Sequence, residues 1–305
     1  MPAPLTPGQA IDAVNQVFGH HPGYRALHAK GVLCGGTFSS TPQAAELTTA
    51  AHMQNRQVPA TFRFSNGSGN PHHPDYAPDP RGLAAKLYLP DDSRTDIVAV
   101  STPVFPVATP DAFIELVKAQ GAGPAALVKL PQLLARNPSI LKTGRAVAPS
   151  LLPPASYASI RYYGIHAFKW TDAQGGARFV RYLLLPGDAE ARLAPWRARR
   201  LGPDYLQQGL RERLQRGPIR FTLEVQIAEP GDPVHDPSAA WPKSRRRVTV
   251  GTYEITGLET GRETGGDVLV FDPTRVTAGI EVSNDPVLLF RRDAYSESVG
   301  RRIAS

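Results

Sequence analysis

The sequence predicts an α+β fold, an antiparallel β-barrel of about eight strands decorated by α-helices. Three observations lead there. The chain of 305 residues carries 30 Pro and 27 Gly, spread along its length, so its elements should be short and joined by tight turns. Several runs alternate apolar and polar residues with a period of two, most clearly Ile219, Phe221, Leu223, Val225 and Ile227 against Arg220, Thr222, Glu224 and Gln226. These runs do not alternate with long helical patterns, which argues against a parallel βαβ sheet.

Taken in order, Thr6-Pro7-Gly8-Gln9 is a capping pattern with Pro at the first helical position. Ile11, Val14, Val17 and Phe18 follow at helical spacing, predicting a short amphipathic helix. Thr41-Pro42 and Thr109-Pro110 repeat the start signal, and the second opens a helix with Phe113, Leu116 and Val117 on one face. Besides the run at 219–227, strands are expected at Ala60–Ser65, Ala84–Leu89, Asp96–Val100, Ile160–Phe168, Phe179–Leu185, Val248–Ile255 and Val268–Phe271. Gly121 to Pro154 is punctuated by Pro and reads as mixed helix and loop, and the chain turns helical after Asp285-Pro286. No internal repeat or long linker divides it. The expectation is one domain over 1–305, with a helical arm at 1–20 and a C-terminal helix at 285–305.

Composition excludes several classes. Cys34 is the single cysteine, which rules out an internal disulfide framework and any zinc or iron–sulfur site built on cysteines; it reads as a small buried hydrophobe. No run approaches the ~20 apolar residues of a membrane span. The first residues show no secretory signal, so the chain as written reads as cytoplasmic, or periplasmic if a signal has been removed. The net charge of +7 comes from 27 Arg and 7 Lys against 27 acids. These cations are scattered, the densest run (Lys243 to Arg247) lacks interleaved aromatics, and no nucleic-acid partner is expected. Arg in excess over Lys suits recognition of carboxylates. Hydrolase, P-loop, zincin and dinucleotide signatures are absent.

Three places carry polar residues in patterns that suggest chemistry. His28 lies in Arg25-Ala-Leu-His28-Ala-Lys-Gly31, where a lone His is ordinarily a satisfied core residue, whereas His20, His21, His72 and His73 read as solvated loop residues. In Thr61-Phe-Arg-Phe-Ser65, alternation puts Thr61, Arg63 and Ser65 on one face and Phe62 and Phe64 on the other. Alternation alone leaves open whether the polar face lines the barrel interior beside a buried partner or faces outward to water. Near the C-terminus, Arg291 and Tyr295 are spaced i, i+4 on one helical face. A guanidinium beside a phenol favours phenolate, and a phenolate can ligate ferric haem.

Together these segments resemble the haem catalase family, and within it the small catalase-related peroxidases. The resemblance runs from about Tyr24 to Arg302 through RALHAKG, TFRFSNG, DPRGLAAKLYLPDDSRTDIVAVSTPVF, YYGIHAFKW and RRDAYSESVGRR, in family order. It implies haem b as cofactor, with no NADPH expected. It further implies that His28 is the distal histidine that moves the peroxide proton, that Ser65 fixes its ring, and that Arg25 and Arg63 hold the haem propionates. Tyr295 would be the axial iron ligand, Arg291 the residue that keeps it ionised, and His166 a member of the same proximal network. Phe113 resembles an aromatic over the distal face, and Phe105 a wall of the channel.

The chain departs from the family at Ser101-Thr102-Pro103-Val104-Phe105-Pro106, where typical members read like NTPIFF. Ser101 is taken as the residue standing where an asparagine helps hold peroxide, and Pro106 replaces an aromatic; Leu27 stands where Val is usual. The expectation is a haem peroxidase that cleaves hydrogen peroxide or organic hydroperoxides, oxidises small organic reductants and has weak catalase activity. The alternatives are a fatty-acid hydroperoxide isomerase like allene oxide synthase, or a haem carrier without turnover. A homodimer is the family-informed expectation.

Overall fold

Eight antiparallel strands close on themselves, and the two-residue alternation decides what fills the closed space. The structure is a computed structural model and describes residues 4–137, 139–259 and 269–304. The strands are β1 (Gly31–Ser40), β2 (Gln57–Asn66), β3 (Arg81–Tyr88), β4 (Arg94–Val100), β5 (Tyr162–Tyr163), β6 (Phe168–Thr171), β7 (Ala177–Pro186), β8 (Ile219–Ile227), β9 (Arg247–Leu258) and β10 (Ile280–Val282). The sheet runs β10-β6-β7-β5-β4-β3-β2-β1-β9-β8, and pairing of β7 with β8 closes the barrel, leaving β6 and β10 as an extension outside it.

The helices are α1 (Pro7–Phe18), α2 (Pro42–Ala45), α3 (Pro110–Gln120), α4 (Ala126–Arg136), α5 (Ser139–Val147), α6 (Pro195–Arg200), α7 (Tyr205–Gln215) and α8 (Pro286–Ala304). Thr6 and Gln9 form the capping box of α1, and the Thr109 hydroxyl accepts from the Ala112 amide at the start of α3. The N-terminal arm is packed: Ala10, Ala13 and Val14 of α1 meet Ile114 and Val117 of α3, with Phe290 of α8 against them. Among the described residues no helix is long and apolar enough to cross a membrane.

Aromatic rings fill the barrel. Phe62 packs on Tyr253 with ring centres 5.0 Å apart, and Phe64 on Tyr157 at 5.5 Å and Phe221 at 6.1 Å, all fully buried. The odd residues of β2 therefore face outward. Arg63 and Ser65 are not in the interior, and neither are they wet, for each is 3% exposed beneath the loops and helices outside the barrel. Across that outer face the pairing sets up two rungs, Gly31–Ser65–Gly82–Val100 and Leu33–Arg63–Ala84–Val98.

The strand expectations change in several places, and β10 is a strand the alternation did not predict. The run 160–168 is split between β5 and β6, because the Gly164 amide is drawn to the Tyr182 carbonyl and His166 turns away to Asp285. Val268 lies outside the described residues and 269–271 form no strand; Leu269 and Phe271 instead pack beside Leu33 on the outer face. β1 was not expected, since Gly31, Gly35 and Gly36 interrupt its alternation, yet it pairs with both β2 and β9. The closeness explains the glycine: a Cβ on Gly36 would fall 2.0 Å from the Glu254 carbonyl oxygen.

Candidate active site

The outer face of β1–β4 presents one half of the site. His28 lies in the loop just before β1 with φ of 57°, a left-handed conformation rare outside glycine that carries strain of roughly 1–3 kcal/mol. Its amide donates to the Gly67 carbonyl and the next amide, of Ala29, to the Ser68 carbonyl, and Arg63 donates to the His28 carbonyl at 2.9 Å. The conformation is thus held from three sides. It lays the imidazole over the Ser65–Gly82 rung, with Nδ1 3.0 Å from Ser65 Oγ.

Glycine makes the space. A Cβ on Gly82 would fall 2.6 Å from Ser65 Oγ and 3.0 Å from His28 Nδ1, and one on Gly31 would fall 2.5 Å from the Arg63 guanidinium. Burial and the charges of Arg63, Arg291 and Arg25 hold His28 down at about 3, so the ring is neutral at ordinary pH. All three of those charges are positive, and they come from β2, from α8 and from the loop ahead of His28. Arg25 also donates to the Leu269 carbonyl at 2.8 Å.

The other half is on α8. Arg291 donates from Nε to the Tyr295 hydroxyl oxygen at 3.0 Å and again from Nη2 to the same atom, while Nη1 donates to His166 Nε2 at 2.9 Å. A guanidinium can only donate, so His166 Nε2 accepts and its proton sits on Nδ1. That proton goes to Asp285 Oδ2 at 2.6 Å. Burial holds His166 down at about 4 against the opposing pull of Asp285, consistent with this neutral tautomer. Asp285 Oδ1 meanwhile accepts from the Val287 and Leu288 amides, capping the helix that carries Arg291 and Tyr295. Asp285 was not among the residues singled out from sequence, although its place before Pro at the start of a helix is a legible cap signal.

Of the expected site residues, the structure brings together His28, Ser65, Arg25, Arg63 and, through its charge, Arg291, with Tyr295 and His166 attached to Arg291. Phe113 packs in the α1–α3 cluster that also takes in Leu27, beside His28, and its ring centre lies 5.0 Å from that of Phe105. Ser101 is not brought to the His28 rung. It is buried one residue beyond, where its hydroxyl oxygen accepts from the Arg81 amide at 2.9 Å; Val100 is the residue on the rung.

These residues fit a flat, largely apolar group that carries carboxylates and accepts a phenol oxygen as ligand. Leu33, Ala84 and Val98, with Leu269 and Phe271, make an apolar floor one rung from His28. Three guanidinia suit two carboxylates and a phenolate. The glycines at 31 and 82 leave the room that the Arg63 guanidinium and the His28 ring occupy.

A model of the catalase family matches residues 9–305. A catalase-related peroxidase of Mycolicibacterium paratuberculosis is 50% identical over 298 residues, which cover 98% of this chain and 95% of that protein. One from Synechococcus elongatus is 33% identical over 301 residues, covering 98% and 89%. A catalase of Methanosarcina barkeri is 27% identical over 291 residues, 90% of this chain but only 57% of that longer protein. With its eight-stranded barrel and a match along nearly its whole length, the chain belongs to the catalase family.

Proposed function

We propose that the chain is a haem peroxidase of the catalase family that cleaves hydrogen peroxide or organic hydroperoxides and oxidises small organic reductants, with haem b as its cofactor and no need of NADPH. The observation that carries the reading is the position of Arg291. Its guanidinium grips the Tyr295 oxygen and His166, and lies close enough to His28 to lower its proton affinity. One residue thereby ties a proton shuttle to a phenol of the kind that ligates ferric haem.

Haem, when bound, would supply redox chemistry for splitting the peroxide O–O bond. Tyr295 would hold its iron, and Arg25 and Arg63 the propionates. Arg291 aims two N–H donors at the phenol oxygen, the arrangement that suits an oxygen bearing negative charge. His166 and Asp285 keep Arg291 in place. On the opposite side, His28 is anchored by the Nδ1–Ser65 Oγ contact, and in the tautomer with the proton on Nδ1 its Nε2 keeps a free lone pair. Nε2 takes the proton from one peroxide oxygen and delivers it to the other, so that water or an alcohol leaves as the O–O bond breaks. The isomerase and carrier alternatives are not favoured by relatives described as peroxidases.

An absorbance spectrum of haem-loaded protein, before and after one equivalent of hydrogen peroxide, tests the reading. A ferric tyrosinate-type spectrum that changes on peroxide addition and returns when a phenolic donor is added is expected. Failure to bind haem, or a spectrum indifferent to all peroxides, would overturn it.

A further inference from the structure

We infer that the surface formed by α6 and the neighbouring turn at Leu152 docks the protein onto an anionic phospholipid bilayer. Docking of this kind needs neither haem nor turnover, and so goes beyond the peroxidase reading. The charge distribution points there first. Cations are spread along the chain, but acids are not: residues 116–160 hold five cations and residues 191–203 four, with no acidic residue in either stretch. The rest of the chain carries 25 cations against 27 acids, so the net positive charge resides in these two stretches.

The fold lays the end of one stretch against the other. Arg192 Nη1 donates to the Leu152 carbonyl at 2.8 Å and to the Ser150 carbonyl at 3.1 Å, and the Leu193 amide donates to the Pro153 carbonyl at 2.8 Å. Within α6 only Ala198 is buried, so Trp196, Arg197, Arg199 and Arg200 turn out to solvent. Trp196 is 60% exposed, whereas Trp170 and Trp241 are buried; Leu201 and Leu152 are exposed with it. Arg200 lies over the Trp196 ring, 5.0 Å from its centre. Among the described residues Arg197, Arg199 and Arg200 form no ion pair, and the acids flanking the stretch are engaged elsewhere, Glu190 with Arg161 at 2.6 Å and Asp204 with Lys30 at 2.8 Å. The Pro203 carbonyl accepts from Lys30 Nζ at 2.7 Å and from the Asp75 amide at 2.8 Å, which moors the patch to the loop that carries His28. The platform is held before it meets a partner, so docking orders little chain.

The mixture of side chains selects the partner. A second copy of this chain would bring like charges together across a two-fold axis. The core of a protein interface is depleted of charge, whereas here Arg197 follows Trp196 and Arg200 precedes Leu201. An indole and leucines interleaved with guanidinia suit the headgroup layer of a bilayer. The ring and aliphatic chains enter the acyl boundary while the cations meet lipid phosphates. The protein would lie on such a surface without crossing it.

Co-sedimentation of the haem-loaded protein with vesicles tests this, using phosphatidylcholine alone and phosphatidylcholine mixed with phosphatidylglycerol. Wild type should sediment with the anionic vesicles at low salt, and high salt or neutral vesicles should release it. The triple variant Arg197→Glu, Arg199→Glu, Arg200→Glu should bind at least about a hundredfold more weakly, at about fivefold per charge. Trp196→Ala should weaken binding at least about tenfold. The same change of charge at Lys243→Glu, Arg246→Glu, Arg247→Glu, an exposed basic run outside the patch, should do far less. Absence of binding to anionic vesicles would overturn the inference. So would equal losses in the two triple variants, or Trp196→Ala binding within about twofold of wild type. Sedimentation velocity and DNA binding cover the other partners. If Trp196→Ala turns a dimer into a monomer, or if a DNA duplex binds as tightly as the vesicles through the same arginines, the face serves another partner and lipid docking is wrong. Peroxide turnover in solution reports on the peroxidase reading separately, and Trp196→Ala should leave it unchanged.

Discussion

Asp285 and His166 stand 119 positions apart and share a 2.6 Å hydrogen bond between buried side chains. The two oxygens of Asp285 do different work: Oδ2 accepts from the imidazole, and Oδ1 accepts the first amides of α8. The carboxylate that starts the helix is thus also the one that fixes the tautomer of the histidine facing Arg291. Helix placement and proton placement are one event.

Removing that carboxylate should show both effects. Asp285→Ala is expected to cost about 2–4 kcal/mol in urea unfolding, combining the loss of a helix cap with a buried imidazole N–H left without an acceptor. Asp285→Asn keeps one acceptor oxygen but turns an NH2 toward the other donor group, so it should recover only part of the loss. Equal destabilisation by the two variants would mean that charge, not capping and hydrogen bonding, dominates.

Gly82→Ala tests the close approach of the His28 ring to β3. The new methyl would enter within 3.0 Å of both Ser65 Oγ and His28 Nδ1. Displacing the ring by about 1 Å should slow peroxide cleavage about a hundredfold while haem binding is retained. Titration of haem into the variant, alongside stopped-flow reaction with peroxide, separates the two effects.

His28 carries a pH signature. Because its folded value is lowered to about 3 from an ordinary 6.5, the ring remains the neutral base down to mildly acid solution. The second-order rate with peroxide should therefore be flat from about pH 8 to about pH 4, with no fall at 6.5. The same shift has a cost for stability. Between 6.5 and about 3 the unfolded chain binds the proton and the folded chain does not, so stability is fully present above 6.5 and declines as pH falls through that window. His166, lowered to about 4, adds to the decline over the same range. Urea midpoints at pH 7 and pH 5 would reveal it, and His28→Gln should flatten part of the slope.

The two halves of the site should separate by mutation. His28→Gln is expected to keep haem and lose peroxide cleavage by about 10²–10⁴. Tyr295→Phe should lose the tyrosinate-type absorbance. A Tyr295→Phe protein whose ferric spectrum matches wild type would place the iron ligand elsewhere.

Ser101→Ala should act on stability. It removes the acceptor of the buried Arg81 amide, at a cost of about 1–3 kcal/mol. A lowered urea midpoint with an unchanged slope would establish that role; an unaltered midpoint would argue against it.

Much of this molecule was legible in its residues. The barrel class followed from short alternating runs and the start of α1 from Thr6 and Gln9. The pairing of Arg291 with Tyr295 followed from helical spacing. Each of these is a local relation that repeats within one element. What was not legible depends on which strand lies beside which. Alternation assigned Thr61, Arg63 and Ser65 to one face of β2 without telling inside from outside, and only the aromatic packing of Phe62 and Phe64 within the closed barrel settled that. Position next to Thr-Pro pointed to Ser101, whereas the register of β3 on β4 puts Val100 on the His28 rung.

By itself the sequence determined the kinds of element, the family resemblance and the chemistry available at His28, Arg291 and Tyr295, because these are written in side-chain type and near-neighbour spacing. Only the tertiary structure decided that Asp285 completes the His166–Arg291 chain, that His28 takes a left-handed backbone over Gly82, and that Val100 stands on the same rung. The physical reason is register. A shift of one residue along a strand exchanges every side chain between the two faces, and register is set by the packing of the whole barrel rather than by any single segment.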